Sequence, residues 1–411
     1  MSSGNQNATL NAKEMMAKEP TRVLYVNDHL GYADGVYHGV TTYFLSLLPR
    51  FDPSRVKVNL CIFRDRHPAA AHLEAKGITP IFLNRAKWNP RVLLDLISVI
   101  RELGVHIVHL SGMKGILLGR IAARITGCRA IIELHDTTSV NPIVLFLHKR
   151  FSKWMDLTLT VSDEVSEVAV QKFGIPAKNI ITMHTAIAVE EYANPSPGAR
   201  QRIRNEFDID LNAPVIGIVG RMMPMKGHEI LFKAMPMVLA KCPEAKLLVV
   251  GNGPMRSKCE ALVEELQIKH AVRFAGIVEN IPDVLAAMDV FALPSLWGEG
   301  FGKAALEALA ASKPVVGFPV PALPEFIHNG ENGFLVPLGD IQQFGEALLS
   351  ILTDSDRAKK MSSKCRGYAE RFDMKNYVRR LEEIYAVISS GSDRNRLNNK
   401  FKSSLFDDNH K

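Results

Sequence analysis

The sequence of 411 residues predicts an α/β fold of two consecutive Rossmann-like domains, each built on a parallel sheet. Three observations predict it. Short runs rich in β-branched residues alternate with longer helical patterns from one end of the chain to the other, as helix-covered parallel sheets require. Those runs are almost continuously apolar, the mark of strands buried on both faces. The alternation stops at the breaker-rich stretch Asn194, Pro195, Ser196, Pro197 and Gly198 and then starts afresh, so a second unit of the same kind follows the first. Hydrophobic residues at 47% and charged residues at 23% lie near the globular average, which argues against a disordered or fibrous chain.

The first twenty residues are polar and lack the apolar centre of a signal peptide, so a disordered segment is expected at 1–20. The first domain is expected over 21–195. Its opening strand, 22–27 (RVLYVN), runs into a glycine-rich loop and a helical stretch at 40–48. Further strands are read at 56–63, 79–83, 105–110, 130–134 and 157–161, with helices at 91–103 and 115–125 between them. A charged linker is expected at 196–212. The second domain, 213–370, restarts with the strand 215–219, a helix from Gly227 and the strand 246–250. A helix at 254–267 and strands at 272–275, 290–293 and 314–317 follow, with a helix at 302–311 before the last. Helical patterns fill 340–390, and the polar tail 391–411 is expected to be disordered.

The formal charge is +7, and residues 1–195 hold 22 Lys and Arg against 17 Asp and Glu. A mild positive field of this kind suits anionic substrates or an anionic membrane surface; a solvated surface with a slight imbalance fits equally well. No basic block interleaved with aromatics points to nucleic acid. Cys61, Cys128, Cys242, Cys259 and Cys365 stand singly, without zinc spacing, and read as small buried hydrophobes in a reducing, cytoplasmic compartment. The clean apolar run 143–147 is far too short to span a bilayer.

The most specific chemical signal is the stretch 294–307, in which Glu299, Gly300, Phe301 and Gly302 lead from a strand into a helix that carries Glu307. Free backbone N–H groups at such a helix start suit a diphosphate, and glycines let the main chain come close to it. Glu299 can accept from sugar hydroxyls and Glu307 from a ribose diol. Alone, the stretch also fits a plain glycine-rich turn with two solvated glutamates. Arg221 and Lys226 lie five residues apart on another strand-to-helix loop, where they can converge on a phosphate pair. A third loop, Gly251, Asn252, Gly253 and Pro254, closes the next strand. Because ligands bind at the carboxyl ends of parallel strands, all three loops belong on one rim.

These segments, with "GRMMPMKG", "GNGP", "VRFAGIV", "DVFALPS", "EGFGKAALEALA" and "KPVVGF" in order, make the second domain resemble glycosyltransferase family 4, the large retaining family of GT-B fold. Glu299 and Glu307 match its pattern of two carboxylates separated by seven residues. "VSDEVSEVAV" and "LHD" extend the likeness more loosely into the first domain. The resemblance implies two domains facing across a cleft, with 371–390 a helix crossing back onto the first domain. It implies that Arg221 and Lys226 neutralise a donor diphosphate, Glu299 holds the transferred sugar and Glu307 the ribose, with Gly300, Phe301 and Gly302 in the donor site. Gly39 matches a glycine where backbone approaches the phosphates or the acceptor, and His135 a histidine beside the transferred sugar. The implied substrate is a UDP- or GDP-sugar, without a cofactor. No Asp-x-Asp lies at a strand end to hold a metal, so metal independence is expected.

Three positions depart from the family pattern. Val320, Pro321, Ala322, Leu323, Pro324 and Glu325 stand where a double glycine often precedes "PE". Thr185, Ala186, Ile187 and Ala188 replace the usual "NGxD", and His38 replaces the first glycine of an N-terminal pair. Two basic, aromatic segments bear on the acceptor, 85–91 and 142–155. Either can meet the headgroup of a lipid-linked acceptor, although the apolar face of the second is expected to pack on its own sheet. The expected activity is retaining transfer of a hexosyl unit to the hydroxyl of a sugar, lipid-linked or small-molecule acceptor, in polysaccharide or glycoconjugate synthesis, on or near the cytoplasmic face of a membrane. A nucleotide-sugar epimerase of similar architecture and a non-catalytic nucleotide-sugar-binding protein are the alternatives. An NAD-dependent dehydrogenase is weaker, since no GxGxxG follows either opening strand.

Overall fold

The computed structural model describes residues 19–31, 39–85, 89–135 and 141–391. Most of the 1–20 segment, His38, Ala86, Lys87 and Trp88, Asp136 of the "LHD" stretch and the tail beyond Gly391 lie outside them. Two parallel sheets organise the chain. The first has seven strands: β1 (Thr21–Asn27), β2 (Val56–Ile62), β3 (Ile81–Phe82), β4 (Ile107–Leu110), β5 (Arg129–Leu134), β6 (Leu157–Thr160) and β7 (Ile180–Thr182). The second has six: β8 (Val215–Val219), β9 (Lys246–Val250), β10 (Val272–Gly276), β11 (Val290–Leu293), β12 (Val315–Gly317) and β13 (Gly333–Leu335). Their orders are β3-β2-β1-β4-β5-β6-β7 and β10-β9-β8-β11-β12-β13. In each, the order reverses beside the opening strand, between β1 and β4 and between β8 and β11. A crevice opens at the strands' carboxyl ends there, because successive crossovers leave in opposite directions.

The central strands are dry on both faces. Val23, Leu24, Tyr25 and Val26 of β1 have no exposed surface, nor do Val215 and Ile216 of β8 or Val290, Phe291 and Ala292 of β11. This is why the strands read as unbroken apolar runs rather than alternating ones. The helix Met374–Ser390 covers one face of the first sheet, where Tyr377, Leu381, Ile384, Tyr385 and Ile388 join the same apolar cluster as Val23, Tyr25 and Ile131.

One organisational expectation needs correction. The 196–212 segment, expected as a charged linker, contains the helix Ala199–Glu206 and is packed into the second domain. Its Arg204 is fully buried, donates to the carbonyls of Ala287 and Ala213, and pairs with Asp289 at 2.9 Å. Five guanidinium N–H donors can satisfy several carbonyls at once, so a charge that looks solvated in sequence becomes a clamp.

Candidate active site

A cavity of about 490 Å³ lies where the two sheets face one another. On the first-domain side it is lined by Asn27 and Asp28 at the end of β1, Ser111 and Gly112 after β4, and Glu133 to His135 at the end of β5. On the second-domain side it is lined by the continuous segment 298–303. Both walls are therefore carboxyl ends of parallel strands, where ligands of this architecture bind.

The second-domain wall is built by close packing of loops. Gly227 has φ +65°, and a Cβ there would meet the carbonyl oxygen of Pro294 at 1.9 Å; only glycine lets the loop after β8 touch the loop after β11. Leu296 N donates to the carbonyl of Met225 at 2.8 Å across the same seam. The loop after β9 joins them, for Met222 N donates to the carbonyl of Asn252 at 3.0 Å and a Cβ on Gly251 would meet the carbonyl oxygen of Gly220 at 2.1 Å. The three loops thus form one rim.

On that rim Lys226 Nζ lies 2.5 Å from Glu299 Oε2, and Ser295 Oγ donates to the same oxygen at 2.9 Å. Glu299, Gly300, Phe301 and Gly302 all line the cavity, and Gly302 caps the helix Lys303–Ala310, whose first N–H groups start at the cavity wall. The ring of Phe301 is anchored elsewhere: it is 3% exposed and packs on Phe326 and Phe372 with centroids 5.2 Å and 5.4 Å away. It holds the turn in place more than it offers surface.

Three expected residues lie off the cavity lining. Lys226 reaches the cavity through Glu299, and Arg221 is half-buried at the start of its loop. Glu307 is buried, accepts from Tyr192 Oη at 2.7 Å and pairs with Lys303 at 2.8 Å. Lys303 does line the cavity and donates across it to Thr42 Oγ1 at 3.0 Å, a link between domains that the sequence reading missed. Its position i to i+4 before Glu307 was the available signal. Gly39 lines the cavity at the start of the helix Gly39–Leu47, and a Cβ there would meet none of the described residues within 4 Å.

His135 is 38% exposed at the cavity wall, its Nε2 3.5 Å from Glu133 Oε2. Glu133 itself is 2% exposed. Its carboxylate accepts from Tyr43 at 2.8 Å, from Tyr377 at 2.9 Å and from Tyr25, while His109 Nε2 stands 3.4 Å away. Burial works against its charge, but the imidazoles of His135 and His109 outweigh that and hold the carboxyl well below its usual range. Burial and Glu133 together push the hydroxyls of Tyr43 and Tyr377 well up, so they stay donors. Asp28 shows the opposite balance: burial raises it despite bonds from Gly115 N at 2.6 Å and Lys114 N at 3.2 Å. Neither Asp28 nor Glu133 belongs to a motif, and nothing short of the fold gathers them.

The departures from the family pattern also have a place. Ala322 adopts φ +67°, the left-handed conformation that glycine takes readily, so this loop keeps its shape at the cost of backbone strain. Thr185 lines the cavity. Ile187 exchanges main-chain bonds with Phe372 and Met374, at 3.0 Å and 2.8 Å, so the two segments that cross between domains are tied to each other. The apolar face of the helix Pro142–Arg150, expected to pack on its sheet, does so only in part: Leu145 lies against the core, while Ile143 is 71% and Phe146 66% exposed. The fully buried residue is His148, held by Arg120 at 2.6 Å, so a polar contact helps seat the helix and leaves Ile143 and Phe146 facing outward. No helix among the described residues is long and apolar enough to cross a membrane.

Two facing parallel α/β domains, with a cavity at both strand-order reversals, define the GT-B fold. The model of "Glycosyl transferases group 1" matches residues 199–368 and that of "Glycosyltransferase Family 4" residues 37–191. The chain belongs to glycosyltransferase family 4. It is 34% identical over 206 residues to D-inositol 3-phosphate glycosyltransferase of Corynebacterium urealyticum, a match spanning about half the length of that relative and 48% of this chain. It is 25% identical over 305 residues to UDP-Gal:alpha-D-GlcNAc-diphosphoundecaprenol alpha-1,3-galactosyltransferase of Escherichia coli, covering 71% of this chain and 78% of that one. Among solved structures, Anabaena HepE in complex with UDP and glucose superimposes with a TM-score of 0.79 at 21% identity, over 89% of this chain and 99% of that one.

Proposed function

We propose that this protein is a retaining glycosyltransferase that moves a sugar from a UDP- or GDP-sugar to an acceptor hydroxyl. The observation that carries the reading is the 298–303 wall: a helix start and a lysine-paired glutamate facing a first-domain wall across one cavity. A diphosphate suits the N–H groups ahead of Lys303, with Lys226, Lys303 and Arg221 supplying positive charge nearby. Glu299, once Lys226 turns to the phosphate, accepts from the sugar hydroxyls, and Glu307 takes the ribose diol. His135 donates to the sugar from the opposite wall.

In the reaction the acceptor oxygen forms a bond to the anomeric carbon as the bond from that carbon to the diphosphate oxygen breaks. The acceptor proton passes to the departing diphosphate, whose growing charge the cations and the helix start stabilise. These groups do the work a divalent ion would otherwise do, so turnover is expected to survive thorough EDTA treatment. No cofactor takes part.

The acceptor is proposed to be a sugar or lipid-linked hydroxyl, the class named in the galactosyltransferase relative. Exposed Ile143 and Phe146, beside Lys149, Arg150 and Lys153, fit the surface of an anionic bilayer, which would seat the protein peripherally on a membrane. A thermal-shift screen against UDP-, GDP- and ADP-sugars tests the donor. One series should raise the Tm by several degrees, because a ligand that prefers the folded state stabilises it. Lys226→Ala should fold, lose that shift and fall about 100-fold in turnover. A folded K226A protein with wild-type turnover would count directly against the site.

A further inference from the structure

Glu133 is a costly residue. A carboxylate with 2% exposure at the end of a central strand forfeits its hydration, and it persists only where many donors replace the water. Here they come from three separate elements: Tyr25 on β1, Tyr43 on the helix Gly39–Leu47 and Tyr377 on the helix Met374–Ser390, with His109 Nε2 of β4 standing 3.4 Å away. Tyr385 of that last helix continues the chain, 2.6 Å from His109 Nδ1. An apolar residue would fill the same space beneath the cavity without this network. The arrangement therefore needs a reason beyond packing, and one member of it reaches the cavity with substantial exposure: His135, two residues further along the same strand end.

We propose that Glu133 is a positioning residue that fixes the proton and ring orientation of His135 for glycosyl transfer. The inference rests on the reading of His135 as a group that touches the sugar. An ionised carboxylate only accepts, so the nitrogen that faces it, Nε2, must carry a proton. Edge-to-face packing of the imidazole on Tyr43, centroids 5.6 Å apart, sets the ring plane. Tyr43 is in turn bonded to Glu133, so the same carboxylate controls both the protonation and the tilt of the ring. Glu133 does not serve as nucleophile or base itself: three hydroxyl donors occupy its oxygens, and the neighbouring imidazoles hold it well below the usual carboxylate range, which makes it a poor proton acceptor. The last helix enters the same network through Tyr377, so a helix that follows the second domain supports a side chain on the first-domain wall of the cleft.

Two measurements test this on the full chain. The first needs no substrate: ¹⁵N spectra of histidine-labelled protein, with His135 assigned by its loss in His135→Gln. The wild type should show a protonated Nε2 at neutral pH, and Glu133→Gln a mixture of protonation forms. An unprotonated Nε2 in the wild type overturns the proposal, whether or not transfer is ever observed. The second uses the sugar nucleotide that gives the largest thermal shift, as donor for transfer or for hydrolysis by water. Glu133→Gln should keep the KM of the donor within about 3-fold and lower kcat at least about 10-fold, as loss of an interaction made only in the transition state does. In a His135→Ala background the same substitution should change kcat by less than about 2-fold, because the effect runs through His135. An equal drop in both backgrounds would mean that Glu133 is merely structural, and the proposal would fail.

Discussion

Glu299 and Lys226 face two demands at once. They satisfy each other at 2.5 Å, half-buried and with Ser295 as a third partner. On the proposed reading, a diphosphate would offer Lys226 a more highly charged partner and release Glu299 toward the sugar, exchanging one ion pair for two better-matched contacts. The same economy of contacts explains Gly227. A methyl group there would meet the Pro294 carbonyl oxygen at 1.9 Å and would also have to hold φ +65°. Gly227→Ala should therefore cost at least about 2 kcal/mol of stability, through strain and the forced separation of the two loops. Chemical denaturation reads this directly; an unchanged midpoint would show that the loops are not packed as described.

At the scale of elements, the helix Pro142–Arg150 shows how local signals and tertiary placement diverge. Its ends are well specified: Asn141 caps it by accepting from Ile143 N at 2.9 Å, proline occupies the first turn, and Lys149 and Arg150 sit at the end where cations are favoured. Which face turns inward is decided by Arg120 and His148, two polar residues whose pairing no periodicity reveals. The exposed Ile143 and Phe146 then carry a prediction of their own. Replacing both with Ser should move stability by no more than about 0.5 kcal/mol, as expected for exposed positions. Flotation with anionic vesicles at low salt should nevertheless fall sharply relative to wild type. If the wild type itself does not float, the peripheral membrane contact is lost as a reading, with no consequence for the cleft.

For the molecule as a whole, pH acts through buried histidines. Burial, helped by Arg120, pushes His148 down to about 4, and burial, helped by Lys226, does the same to His228. A group lowered on folding binds its proton more readily in the unfolded chain. The stability it lends is complete above the unfolded value near 6.5 and disappears as pH falls toward 4, at most on the order of 3 kcal/mol for each residue. Loss of the Glu133 charge at still lower pH acts in the same direction, whereas the raised Asp28 acts against it. The Tm should thus decline steadily between pH 6.5 and pH 4, and His228→Gln should flatten that slope. A Tm unchanged over this range would contradict the assignment of both histidines as neutral in the folded state.

Much of this was legible in the chain itself. Apolar runs on strands such as β1 and β8 must be buried on both faces, and their alternation with helices dictates parallel sheets with ligand loops at the carboxyl ends. The loops around Lys226, Gly251 and Glu299 follow from that rule, because each glycine and charge lies within a few residues of a strand end. What the chain could not disclose is where separate elements meet. Glu133 and Asp28 read as ordinary acids until β1, β4, β5 and the last helix are brought together around them. Arg204 read as part of a charged linker until the carbonyls of a neighbouring turn enclosed it. The difference is physical: hydrophobic periodicity is a property of each segment taken alone, while the burial of a charge depends on partners from other parts of the chain, and only the folded chain supplies them.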